Sequence, residues 1–233
     1  MLFLNASNSA LTVSVESGFD LIFEDSALLV FNKPSGLLSV PGKGPEKADC
    51  LRTRVQQVYP EALTVHRLDM STSGILLMAR SAELHRHLSI TFANREVEKR
   101  YIAVVDGQVA GNAPDSPADA WQLIDKPIAT DWVNRPLQKI DAVEGKASQT
   151  RYRVLSYDAN NDTTRLELAP VTGRTHQLRV HLQSIGRSIL GDHLYASPEV
   201  QAKSTRLMLH ASELHLAHPV TGKPLAFQCA CPF

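Results

Sequence analysis

Short apolar runs, broken again and again by turn residues, restrict this chain to a fold built mainly from strands. Phe19-Asp20-Leu21-Ile22-Phe23-Glu24 reads as a strand and Asp25-Ser26 as a turn. Ala27-Leu28-Leu29-Val30-Phe31 reads as a buried strand, stopped at Asn32-Lys33-Pro34-Ser35-Gly36. Further strands are expected over 63–65, 73–79, 97–105, 148–155, 164–169, 207–216 and 224–229. Helices are fewer. Asp49 is the expected cap of one through Leu51, Val55 and Val58, ending before Pro60. Ser81 caps a second through Leu84, Leu88 and Phe92. A third spans 175–185, with Leu178, Leu182 and Ile185 on one face and Gly186 as its C-cap. Residues 124–139, interrupted by Pro127 and Pro136, read as irregular. Residues 106–119, with Gly107, Gly111, Pro114 and Pro117, read as a surface loop. The expected class is α+β: a mixed, largely antiparallel sheet with flanking helices and loops around a central cleft. Residues 1–18 read as a lead-in and 19–233 as a single domain.

The 24 basic and 24 acidic residues cancel, which argues against a protein that coats nucleic acid by bulk charge. Charge is uneven locally: Arg165, Arg174, Arg179 and Arg187 face only Glu167 between residues 165 and 187. Arginine suits bidentate contact with phosphate or carboxylate, although a solvated helix face is the commoner origin of such a cluster. No Lys or Arg precedes Lys33, so no basic leader is apparent, and the apolar runs are too short to cross a bilayer. Cys50, Cys229 and Cys231 form no disulfide framework. A cytoplasmic protein, not bound to membranes and monomeric, is expected.

The stretch His66-Arg67-Leu68-Asp69, followed by Met70-Ser71-Thr72-Ser73-Gly74, places one carboxylate beside basic residues at a turn. Asp69 could serve as nucleophile or base, or could merely cap the turn. Arg67 lies on the same side if the backbone stays extended. A buried carboxylate needs a cation to remain ionised, and Arg179 is the expected partner, with Arg174 also near the start of the third helix. Tyr101 could stack on a nucleobase or pack in the core. The nine histidines and three cysteines match no metal-ligand spacing, and neither a P-loop nor GxGxxG occurs, so neither metal nor cofactor is expected.

Four ordered blocks carry a resemblance: His66-Arg67-Leu68-Asp69 with Ser73-Gly74; Lys99-Arg100-Tyr101; Thr172-Gly173-Arg174-Thr175-His176-Gln177-Leu178-Arg179-Val180-His181; and Leu190-Gly191-Asp192. In these the chain resembles the RluA-type family of pseudouridine synthases. Asn32 to Gly42, Asp131-Trp132-Val133-Asn134-Arg135-Pro136 and Tyr195-Ala196-Ser197-Pro198 look most like a small, dual-specificity member without an S4 RNA-binding domain. The resemblance implies isomerisation of uridine 32 of tRNA anticodon stem-loops and uridine 746 of 23S rRNA, with no cofactor. Alternatives are a synthase restricted to large-subunit rRNA and a non-catalytic RNA-binding module. By position, Asp69 would be the catalytic carboxylate and Arg179 its partner. Tyr101 would lie against the base, Leu178 would pack on the base or Asp69, and Arg67 would fill the space left by the flipped nucleotide. His66, Arg174 and Arg135 would contribute to substrate binding. Asp69 would attack C1′ directly or first assist loss of the 2′ proton.

Overall fold

The computed structural model describes residues 18–109 and 120–233. The expected lead-in, apart from Gly18, and most of the loop expected over 106–119 lie outside the described residues. The strands, in chain order, are β1 (Asp20–Glu24), β2 (Leu28–Lys33), β3 (Leu63–Thr64), β4 (Ser73–Ala79), β5 (Glu98–Asp106), β6 (Gln122–Asp125), β7 (Ile128–Thr130), β8 (Gln138–Ile140), β9 (Gln149–Asp158), β10 (Thr163–Pro170), β11 (Leu209–Ala217) and β12 (Pro224–Gln228). The helices are α1 (Leu51–Gln56), α2 (Ala82–Ala93), α3 (Gln177–Ser184) and α4 (Pro198–Ala202). The chain forms two compact units, the first running to Lys99 and including His210–Pro232, the second covering Arg100–Leu209 with Phe233.

In the first unit the strand order is β1-β2-β4-β11-β12, with β3 also paired to β4. Pairing is antiparallel except between β4 and β11. β4 is buried at every position because both its faces are covered. Ile75, Leu77 and Ala79 pack with Leu88 of α2, Leu214 and Phe227. Leu76 and Met78, pointing the other way, pack with Leu51 and Val55 of α1. This explains a continuous apolar run where a half-exposed strand would alternate.

Both helix starts here are capped. Ser81 Oγ accepts the Leu84 amide at 3.2 Å, as expected. At α1 the cap is Cys50, not Asp49. The Cys50 thiol accepts the Thr53 amide at 3.4 Å and Thr53 Oγ1 accepts the Cys50 amide at 3.1 Å. The Asp49 carboxylate instead grips Arg54 with two charge-assisted bonds, at 2.8 and 2.7 Å.

The second unit has an antiparallel order β5-β10-β9-β6 and a separate β7–β8 hairpin. Ala103, Val105, Leu166, Leu168, Leu178 and Leu182 make its main core. Residues 124–139, expected to be irregular, hold the end of β6, all of β7 and most of β8. Strands of three or four residues separated by Pro127 leave too little alternation to read. α3 starts at Gln177, later than expected, because His176 sits in the left-handed region with φ 53°. Gly186, at φ 74°, ends it as expected and returns its amide to Gln183. α4, capped by Ser197, is too short to show periodicity.

The α+β class and the predominantly antiparallel pairing agree with the sequence expectation. Gly74 tests the packing at the centre of the first unit. Its φ is +110°, and a Cβ would fall on the backbone of Ala211 across the parallel β4–β11 contact. Gly74→Ala should therefore cost about 3 kcal/mol or more, read as a lowered urea midpoint. An unchanged midpoint would show that the two strands can separate.

Candidate active site

Asp69 lies in the first unit, on the link from β3 to β4, half-buried just ahead of the turn at Met70-Ser71. Nearly every peptide group around it has an assigned partner. Ser39 Oγ donates to the Leu68 carbonyl at 2.7 Å and accepts the Leu68 amide at 3.1 Å. One hydroxyl thus fixes both polar groups of the preceding residue, whose side chain is buried. The Asp69 carbonyl accepts the Thr72 amide at 3.1 Å, closing the turn. On the far side, the Met70 carbonyl accepts from Lys33 Nζ at 3.1 Å and from the Gly36 amide at 2.8 Å. Ser35 Oγ donates to the Ser71 carbonyl at 2.7 Å.

Lys33 has no solvent exposure. Its ammonium also donates to the carbonyls of Leu37 (2.7 Å) and Pro34 (2.8 Å), which uses its three protons on three carbonyl oxygens. The segment Asn32-Lys33-Pro34-Ser35-Gly36, which reads in the sequence as a strand stop, is therefore a brace for the Asp69 turn.

His66 has an internal task. Its ring stacks on Phe92 at 4.7 Å and 20°, and its Nε2 accepts the Leu77 amide at 3.0 Å. Burial, assisted by the positive charge of Lys99, pushes its pKa down to about 3. The ring is thus neutral and serves as an acceptor for the backbone of β4. Arg67, by contrast, is exposed. Among the described residues no hydrogen bond or ion pair ties down its guanidinium.

The second unit holds the other expected residues. Gln177 organises the start of α3. Its Oε1 accepts from the Arg174 amide (3.0 Å) and Thr172 Oγ1 (2.7 Å), while its Nε2 donates to the Gln149 carbonyl (2.9 Å) and Thr150 Oγ1 (3.0 Å). All four side-chain bonds are internal, so the Thr172-Gly173-Arg174 turn is fixed and the Arg174 side chain is left exposed. Leu178 and Tyr101 meet in the same apolar core, Tyr101 at its edge. Arg135 stands on the turn of the β7–β8 hairpin.

Arg179 is 2% exposed and its two-pronged partner in this unit is Asp192, at 2.8 Å from Nε and 2.6 Å from Nη2. Asp192, 1% exposed, also accepts the Leu194 and Tyr195 amides on Oδ1. The Arg179 guanidinium lies 5.1 Å from the Tyr195 ring centroid. The Tyr195 hydroxyl accepts the Gln138 amide at 2.9 Å and shares a 2.7 Å hydrogen bond with His176 Nδ1. Asp192 and Tyr195 fall within blocks that carried the resemblance, yet nothing in the sequence pattern assigned them to Arg179.

Two outcomes follow. Asp192→Asn leaves a buried guanidinium facing a neutral amide and should cost about 3–5 kcal/mol in denaturant unfolding. A loss below about 1 kcal/mol would show that other groups hold Arg179. The second outcome concerns pH. Unfolded His66 binds a proton near 6.5 but the folded ring only near 3. Each proton taken up between these values favours unfolding, so this contribution is complete above about 6.5 and is lost as pH falls toward 3, at up to about 1.4 kcal/mol per unit. His66→Gln should flatten that part of the stability–pH curve. An identical slope in the variant would contradict the assignment.

The geometry has independent counterparts. The sequence model of the RNA pseudouridylate synthase family matches residues 27–184. The dual-specificity RNA pseudouridine synthase RluA of Yersinia pestis is 46% identical over 213 residues, covering 91% of this chain and 99% of the relative. The protein of that name from Escherichia coli K12 is also 46% identical, over 91% of this chain and 93% of its own. Among solved structures, human RNA pseudouridylate synthase domain containing 1 superimposes with a TM-score of 0.74 at 26% identity, over 92% of this chain and 84% of that one. The blocks quoted from the sequence, the fold and these matches converge: the chain belongs to the RNA pseudouridylate synthase family and is an RNA pseudouridine synthase.

Proposed function

We propose that the enzyme has two substrates, uridine 32 of tRNA anticodon stem-loops and uridine 746 of 23S rRNA. The observation that carries this is the 46% identity, over nearly the whole of its length, to a relative named for dual specificity. The reaction breaks the N1–C1′ bond, turns the detached uracil and joins C5 to C1′. Atoms are rearranged within one nucleotide, so the pocket must hold the free base and keep water out.

Asp69 is the group we assign to C1′ chemistry, and Arg179 the cation that keeps it ionised. The immobilised backbone on both sides of Asp69 supports the first assignment, since a reacting carboxylate must be held in register with its target. The complete burial and fixed orientation of Arg179 support the second. Tyr101 is assigned to the face of the target base, with Leu178 packing beside it, and Arg67 to the gap left by the flipped nucleotide. Exposure and uncommitted donors at Arg67 suit a wedge that pairs with nothing until RNA arrives. Arg174 and Arg135, both exposed, are assigned to the RNA, whereas His66 serves the substrate by holding the loop. Residues 19–233 act as one catalytic domain on this reading, supported by a family match that runs through both units. Its RNA substrates, and cysteines that form no disulfide among the described residues, fit a cytoplasmic monomer.

Asp69→Asn keeps the shape and removes the charge. Purified variant should lose at least about 10⁴-fold in kcat on an anticodon stem-loop and on the matching 23S hairpin, with RNA affinity retained. Wild-type turnover by the variant would remove Asp69 from the chemistry. Turnover of only one hairpin by the wild type would restrict the substrate range.

A further inference from the structure

Trp132 is 68% exposed and the adjoining Val133 is 91% exposed, both at the turn of the β7–β8 hairpin. Tryptophan is highly buried on average, so a displayed indole calls for an explanation. The turn is not loose. Asp131 Oδ1 accepts the Asn134 amide (3.2 Å), Asn134 Nδ2 donates to Asp131 Oδ2 (2.9 Å), and backbone bonds link Asp131 to Leu137 and Leu137 to Asn134. The hairpin's foot is packed as well: Ile128 shares a core with Val180 of α3 and Tyr195, with Leu137 and Ile140 against it. A rigid stalk therefore presents the ring at low conformational cost.

The Arg135 guanidinium carbon sits 3.7 Å from the Trp132 ring centroid, stacked on one face of the indole. Among the described residues neither the indole N–H nor the guanidinium has a hydrogen-bond or carboxylate partner. Asp131, the nearest acid in the turn, is already bonded to Asn134. The tip thus offers a flat π-surface beside a cation with uncommitted planar donors. That combination fits one kind of ligand, an unstacked nucleobase with its adjoining phosphate: the base stacks and the guanidinium takes the phosphate oxygens. A protein partner would call for a larger continuous apolar patch, whereas here Trp132 and Val133 are flanked in the turn by Asp131, Asn134 and Arg135.

We propose that Trp132 and Arg135 form a stacking platform for an unpaired base of the substrate RNA other than the uridine that is isomerised. The platform rests on the reading of the substrates as RNA loops and adds a second base contact outside the reacting nucleotide. Binding to the anticodon stem-loop and the 23S hairpin is measured directly, with turnover followed on the same samples. Trp132→Ala should weaken binding by about 5- to 150-fold, the range that base–aromatic stacking implies, and Trp132→Phe should recover most of it. Arg135→Gln should weaken binding and lower the salt dependence by about one phosphate contact. The chain has two tryptophans, so RNA-dependent quenching of emission should persist in Trp121→Phe and vanish in Trp132→Phe. Unchanged affinity in Trp132→Ala, with wild-type turnover intact, overturns the platform alone. A wild type that binds and quenches but converts neither hairpin overturns the proposed substrates and leaves the platform standing. A wild type that binds neither hairpin overturns both.

Discussion

The Lys33 ammonium is the constraint on which the Asp69 loop depends. A lysine with no exposure is expensive unless every proton finds an acceptor. Here the acceptors are three main-chain carbonyls, two from its own loop and the third from Met70, immediately after Asp69. The charge thus fastens two segments 37 residues apart and fixes the peptide that follows Asp69. Ser39 does the same for the peptide before it. Between these two anchors Asp69 retains little backbone freedom, as the proposed role at C1′ requires.

The second unit solves a related problem with opposite polarity. Arg179 is a buried cation whose planar fork is held by both oxygens of Asp192 and by the face of Tyr195. Asp192 is itself held by two backbone amides on Oδ1, and Tyr195 is pinned by Gln138 and His176. Such a chain has little slack, so the Arg179 guanidinium is held in one orientation. The left-handed His176 fits the same picture: a strained non-glycine residue held by its hydrogen bond to Tyr195 and placed directly before the helix that carries Arg179.

What could be read from the sequence follows physical range. The β4 run, the Ser81 cap and the Gly186 stop were legible because each depends on residues within one or two turns of chain. The Asp69 loop was legible because several chemically unusual residues fall side by side from His66 to Gly74. The brace was not. A lysine beside a proline reads as a solvated strand end, and only the fold brings the Met70 carbonyl to its ammonium. Cys50 does not stand out as a cap because Asp49 is the better capping residue by type, yet Asp49 is engaged by Arg54. His66 read as part of a substrate-facing block because sequence does not show which way a ring turns. Its stack on Phe92 and its bond to Leu77 are tertiary facts. The three-residue strands β7 and β8 lacked the length to show a period, so the hairpin that displays Trp132 was also hidden.

These features have one functional point: two buried cations and a fixed turn make sense if Asp69 performs the same isomerisation in two RNAs. Nucleotide-resolution mapping of pseudouridine in tRNA and 23S rRNA from cells lacking this gene tests that most directly. Both uridine 32 of the target tRNAs and uridine 746 of 23S rRNA should remain unmodified there, and both marks should return when the wild-type gene is restored. Persistence of either mark in the deletion strain would contradict it.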